Sequence, residues 1–76
     1  MISLQKCPVG TTCKILSIDG EATCVRRCME LGLVPGTVCT VERRAPFGGP
    51  VELSTERTRL GVRLGSELQI MIAGVE

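Results

Sequence analysis

The chain has 76 residues, 43% of them hydrophobic, with nine Lys and Arg against eight Asp and Glu and a net charge of +1. That makes room for one small domain with a packed core, and the near-neutral balance excludes a protein that binds nucleic acid by neutralising phosphates. His, Trp and Tyr are absent and Phe47 is the only aromatic, which removes the usual general base, the commonest metal ligand and any base-stacking platform, so neither an enzyme nor a cofactor is expected.

No repeat, linker or low-complexity tract divides the chain, and residues 1–76 read as a single domain. Pro8 and Gly10 open on a turn. Thr12 to Ile18 is β-rich and mostly apolar, and reads as a strand ended by Asp19-Gly20. Glu21 to Leu31 reads as a helix: Asp19 or Gly20 can cap it, and Gly32 stands where a left-handed C-cap belongs. Its apolar face is read as Ala22, Val25, Met29 and Gly32, with Cys28 beside them and Arg26, Arg27 and Glu30 opposite. Val34-Pro35-Gly36 predicts a tight turn in which Gly36 takes a positive φ. Thr37 to Arg44 is a strand, residues 45–50 a loop, and Val51 to Thr55 a strand with Val51 and Leu53 on one face. Thr58 to Leu64 alternates apolar and basic residues as a further strand. Gly65 to Leu68 is a short turn and Gln69 to Val75 the last strand. About five short strands in so small a chain predict a mainly β fold, closed or nearly closed into a barrel, with one short helix after the first strand.

The longest apolar run, Ile70 to Ala73, is far short of the roughly 20 residues that span a bilayer, and no charged leader precedes an apolar block. The expectation is a cytoplasmic protein that does not itself insert into a membrane. Its five cysteines are odd in number and carry no export signal, which suits reduced thiols.

Several segments together resemble the FeoA family. Residues Arg26 to Thr37 resemble its signature of a helix ending in Leu-Gly-Leu followed by a Pro-Gly turn. Arg43 to Glu52 resembles its Arg-Arg-Ala-Pro loop, Leu60-Gly61-Val62-Arg63 its next strand, and Pro8-Val9-Gly10 its start. Two places depart from the pattern: Arg57 stands where the family often turns on Gly, and Gly65 and Ser66 replace better helix formers. The resemblance implies an SH3-like β-barrel. It also implies a small cytoplasmic accessory protein of bacterial ferrous-iron uptake that acts on the membrane permease FeoB and its GTPase domain, peripheral to the inner membrane through that partner. The same fold closes iron-dependent repressors, and a stand-alone domain of that kind is a further alternative, although no DNA-reading helix accompanies it here.

Three features compete for the site. Cys24 and Cys28 lie four apart and share a helix face, where with a third thiol they can enclose a soft transition metal; this is the basis of an alternative reading as a metal carrier. Against it, the spacings are not those of zinc knuckles, and Cys7, Cys28 and Cys39 stand where the family usually has Leu or Val, so the cysteines read mainly as small buried hydrophobes. The second feature is basic: Arg26, Arg27, Arg43 and Arg44, with Arg57, Arg59 and Arg63 along a further strand and Phe47 in the loop after Arg44, form a rim suited to an acidic protein surface. As an exposed rim, Arg43 and Arg44 are expected to contribute little to folding. The third is the last strand, apolar on both faces, whose Met71 and Val75 point to self-association or partner docking.

Overall fold

A computed structural model describes residues 2–74 of the chain. In chain order the elements are β1 (Ile2–Ser3), a 3-10 turn (Leu4–Lys6), β2 (Thr12–Gly20), α1 (Ala22–Glu30), β3 (Val38–Arg44), β4 (Val51–Ser54), β5 (Arg59–Val62) and β6 (Leu68–Gly74). All strand pairs are antiparallel and form one six-stranded sheet in the order β1-β6-β2-β3-β4-β5. The strand read from Thr12 continues through Asp19 to Gly20, and β1 adds a sixth member ahead of it, so the helix follows the second strand. Of the last strand, Val75 lies outside the described residues.

The sheet curls around a core led by Leu4, Ile15, Leu33, Leu53, Ile70 and Ile72, all essentially inaccessible to solvent. Two bulges fit the sequence to this core. In β2, alternation from Cys13 and Ile15 would turn Ser17 inward. One extra residue at Leu16 shifts the register, so that Ser17 lies opposite Met71 and Ile18 opposite Ile70, and Ile18 rejoins the core. In β3 the same device at Glu42 follows Val41, so that Arg43 pairs with Glu52 and Arg44 with Val51. A residue slip exchanges the two faces of a strand; the second bulge keeps Arg43 out of the core.

The helix begins and ends on recognisable chemistry. Its N-cap is Glu21, neither Asp19 nor Gly20: the Glu21 carboxylate accepts from the Thr23 N–H at 2.6 Å. At its C-terminus Gly32 has φ 94°, the Gly32 N–H reaches the Met29 carbonyl at 3.0 Å and the Leu33 N–H reaches that of Cys28 at 2.9 Å. This is the Schellman arrangement, with Gly in the left-handed position. The buried face is narrower than the sequence suggests. Cys28 is its centre and Cys24 and Val25 are half-buried, while Ala22 is exposed and Met29 keeps 49% of its surface. The Pro-Gly turn forms as read: Gly36 has φ 96° and the Thr37 N–H donates to the Val34 carbonyl at 3.0 Å.

Candidate docking surface

The six residues from Ala45 to Pro50 connect β3 to β4. The Ala45 N–H donates to the Pro50 carbonyl at 3.0 Å and the Gly49 N–H to the Pro46 carbonyl at 3.2 Å, closing a turn inside a turn. The two central residues of the inner turn, Phe47 and Gly48, have φ of 59° and 72°. That is the backbone of a type I′ turn, which ordinarily takes Asn, Asp or Gly at both places. Phe47 is the one non-glycine residue with positive φ among the described residues, and its side chain is fully exposed. A phenyl group held in a left-handed conformation costs about 1–2 kcal/mol, and its exposure returns none of this to the core. Strain held at a surface tip makes this loop a candidate contact site.

The arginines divide into two kinds. Arg43, Arg26 and Arg27 project into solvent, as do Arg57 and Arg63. Arg59 is largely exposed and lies 4.0 Å from Glu42, which also accepts from the Ser54 hydroxyl at 2.5 Å. Arg44 does not belong to the rim. Its guanidinium donates to the Gln5 carbonyl at 2.7 Å, to that of Leu4 at 3.3 Å and to that of Cys7. The fork of five donors ties the end of β3 to the N-terminal 3-10 turn, whose carbonyls need partners. The expectation that Arg44 contributes little to folding is corrected accordingly.

The cysteines lie in the core. Cys7, Cys13, Cys28 and Cys39 are buried and Cys24 is half-buried, all as free thiols. Cys13 and Cys39 face each other across β2 and β3 with their sulfurs 3.7 Å apart. Burial pushes the Cys13 thiol up to about 12, helped by the neighbouring Cys39 and Cys7. Cys28 is raised by burial and then by Cys24, and Cys39 chiefly by burial. A thiol so disposed stays protonated and is neither a ready ligand nor a nucleophile. Among the described residues no group of three or more Cys, Asp or Glu is arranged to hold a metal ion. Met71 is half-buried on the outer face of β6, paired with Ser3 of β1 and Ser17 of β2.

Sequence reasoning missed an open groove of about 720 Å³ between the end of α1, the Pro-Gly turn and the β4–β5 hairpin, bordered by Leu31, Val38, Thr40, Glu56 and Arg57. It is assembled from segments distant along the chain and has no local signature. The hairpin turns without glycine, because the Thr55 hydroxyl accepts from the N–H groups of Arg57 and Thr58 at 3.3 and 3.2 Å.

The family model for the FeoA domain matches residues 2–73. The chain belongs to the FeoA family. Three solved structures are similar to it. The FeoA protein from Chlorobium tepidum, solved by solution NMR, is 29% identical with a TM-score of 0.88, over 99% of this chain and 71% of that one. The FeoA-like protein from Clostridium acetobutylicum, also solved by NMR, is 25% identical with a TM-score of 0.75, over 99% of this chain and 90% of that one. A crystal structure of an iron uptake regulatory protein (FeoA) is 19% identical with a TM-score of 0.72, over 95% and 96% of the two chains, and supports the fold alone. No curated protein matches the chain significantly in sequence. The fold of this FeoA domain is thus the mainly β, SH3-like architecture expected. Among the described residues no helix is long and apolar enough to cross a membrane.

Proposed function

We propose that this FeoA domain is an accessory protein of bacterial ferrous-iron uptake that docks, from the cytoplasmic side, on the membrane transporter FeoB. Family membership supports the setting, and the fully exposed Phe47 on its strained turn is the observation that carries the docking role. The site is an adhesive one: an aromatic anchor on a rigid loop, with Arg43 exposed on the strand that feeds it. Anchors of this kind dominate protein interfaces, and cations at the rim set orientation and encounter rate. Docking then acts by bias. A protein that binds one conformation of the transporter better than another shifts its equilibrium by that difference in affinity, with no chemistry of its own.

The test is an affinity titration against detergent-solubilised FeoB with Phe47→Gly and Arg43→Glu, each followed by a thermal melt. Phe47→Gly relieves the left-handed strain, so the melting temperature should hold or rise while affinity falls by about tenfold or more. Arg43→Glu should weaken binding, and added salt should weaken binding by the unmodified protein. Unaltered affinity in a folded Phe47→Gly variant would remove this loop from the interface.

A further inference from the structure

The sheet has two ends, and they differ. β1 is only two residues long, whereas β5 offers a four-residue edge. β5 pairs with β4 alone, through Ser54↔Arg59, Leu53↔Leu60, Glu52↔Gly61 and Val51↔Val62. The Thr55 N–H donates to the Thr58 carbonyl at 2.8 Å, and this sets the phase of the ladder. Counting in twos from Thr58, Leu60 and Val62 exchange bonds with β4, while the main-chain groups of Arg59 and Gly61 point the opposite way. Among the described residues no main-chain group meets them. Gly61 at the middle of this edge is exposed, and a Cβ there would touch only the Pro50 ring at 3.8 Å.

Beyond the edge lies a groove of about 280 Å³ whose opposite wall is α1. Cys24 on the helix and Leu31 at its C-terminal cap face Val62 and Leu68 on the sheet side, and Arg27 and Arg63 stand on its borders. A bare strand edge beside a helix is the geometry in which an extended peptide adds a strand. The main chain then supplies affinity, and alternate side chains supply specificity.

The charges choose the occupant. A second copy pairing antiparallel about Gly61 would place Arg59 of one molecule opposite Arg63 of the other, and a parallel pairing would set like residues side by side. Like charges across a strand pair are destabilising. The same arginines attract carboxylates, and Arg59 keeps 65% of its side chain exposed beside Glu42. We infer that the β5 edge and the α1 groove accept an extended, acidic segment of a partner protein as an additional strand. Its apolar side chains enter the groove and its carboxylates meet Arg59 and Arg63. This inference stands apart from the Phe47 loop and from the identity of the transporter.

The probe is a short synthetic peptide alternating valine and glutamate, compared with one alternating valine and lysine, titrated into the isotope-labelled chain. The acidic peptide should protect the Arg59 and Gly61 amides from hydrogen exchange and bind about tenfold or more tightly than the basic one. Arg63→Glu should narrow or invert that preference. Gly61→Pro removes an outward N–H that β4 does not use, and should weaken binding of the acidic peptide. Arg63→Glu, at an exposed position, carries the test if the proline variant does not fold. Equal binding of the two peptides would overturn the proposal, as would protection confined to β1 or to the Phe47 turn. Protection of Gly61 in the protein alone, growing with its concentration, would give the edge to a second copy and overturn it too.

Discussion

Replacing Arg44 by Ala removes the donor shared by the Leu4, Gln5 and Cys7 carbonyls. Hydrogen bonds to a charged group contribute about 1.5–3 kcal/mol, so Arg44→Ala should lower unfolding stability by that order in a denaturant titration, whereas Arg43→Ala should stay within about 0.5 kcal/mol. Gly36 gives a second contrast. A side chain there would meet nothing within 4 Å, so the penalty is one of backbone alone: Gly36→Val should cost about 1–2 kcal/mol and Gly36→Asn visibly less. Cys13 makes stability depend on pH. Its thiol titrates at about 12 when folded, against an ordinary value of 9.0. Above pH 9 the unfolded chain therefore ionises while the folded one holds its proton. Stability is complete below that point and falls by up to about 1.4 kcal/mol per pH unit from there to about pH 12. Denaturant midpoints measured across this range should fall less steeply in Cys13→Ala. Residue roles of this sort were legible where the cause is local, as at Gly32 and Gly36. They were not legible for Arg44, because its carbonyl partners lie roughly forty positions away along the chain.

The strands longer than three residues were legible in the sequence, β4 and β5 through alternation and the others as β-rich or apolar runs. The helix α1 was legible through its apolar spacing and its terminal glycine, although its cap is Glu21. β1 was not, since two residues carry no period. The bulges at Leu16 and Glu42 were equally silent: they are forced by the fit of one strand to the next. The joint between β2 and α1 rests on a comparable fit. Gly20 has φ 143° and a Cβ there would collide with the Glu67 carbonyl, which also accepts from the Glu21 N–H at 2.9 Å. Gly20→Ala should therefore lower the melting temperature, with a cost above about 1 kcal/mol, while Ser66→Ala in the same turn should be nearly neutral. The β3–β4 loop divides in the same way. Its existence followed from Pro and Gly, but the left-handed backbone of Phe47 depends on closure by Ala45 and Pro50 and had no signature of its own.

On the scale of the whole molecule, the order of the sheet is not the order of the chain. β6 sits between β1 and β2, so Ile72 lies beside both Ile2 and Ile15. By contrast β3, β4 and β5 form a meander of neighbours joined by short loops. Closing a long loop carries an entropic penalty that is met before its contacts reward it. In pulsed hydrogen exchange during refolding, the amides of β3 and β4 should accordingly gain protection before those of β1 and β6. For a chain emerging from a ribosome the consequence is a period of exposure. Until the segment 68–74 is released, β2 has no neighbour on one side, and Ile15 and Ile18 face water beside an open strand edge. In that interval the nascent protein is most open to chaperones and to mispairing with its own kind.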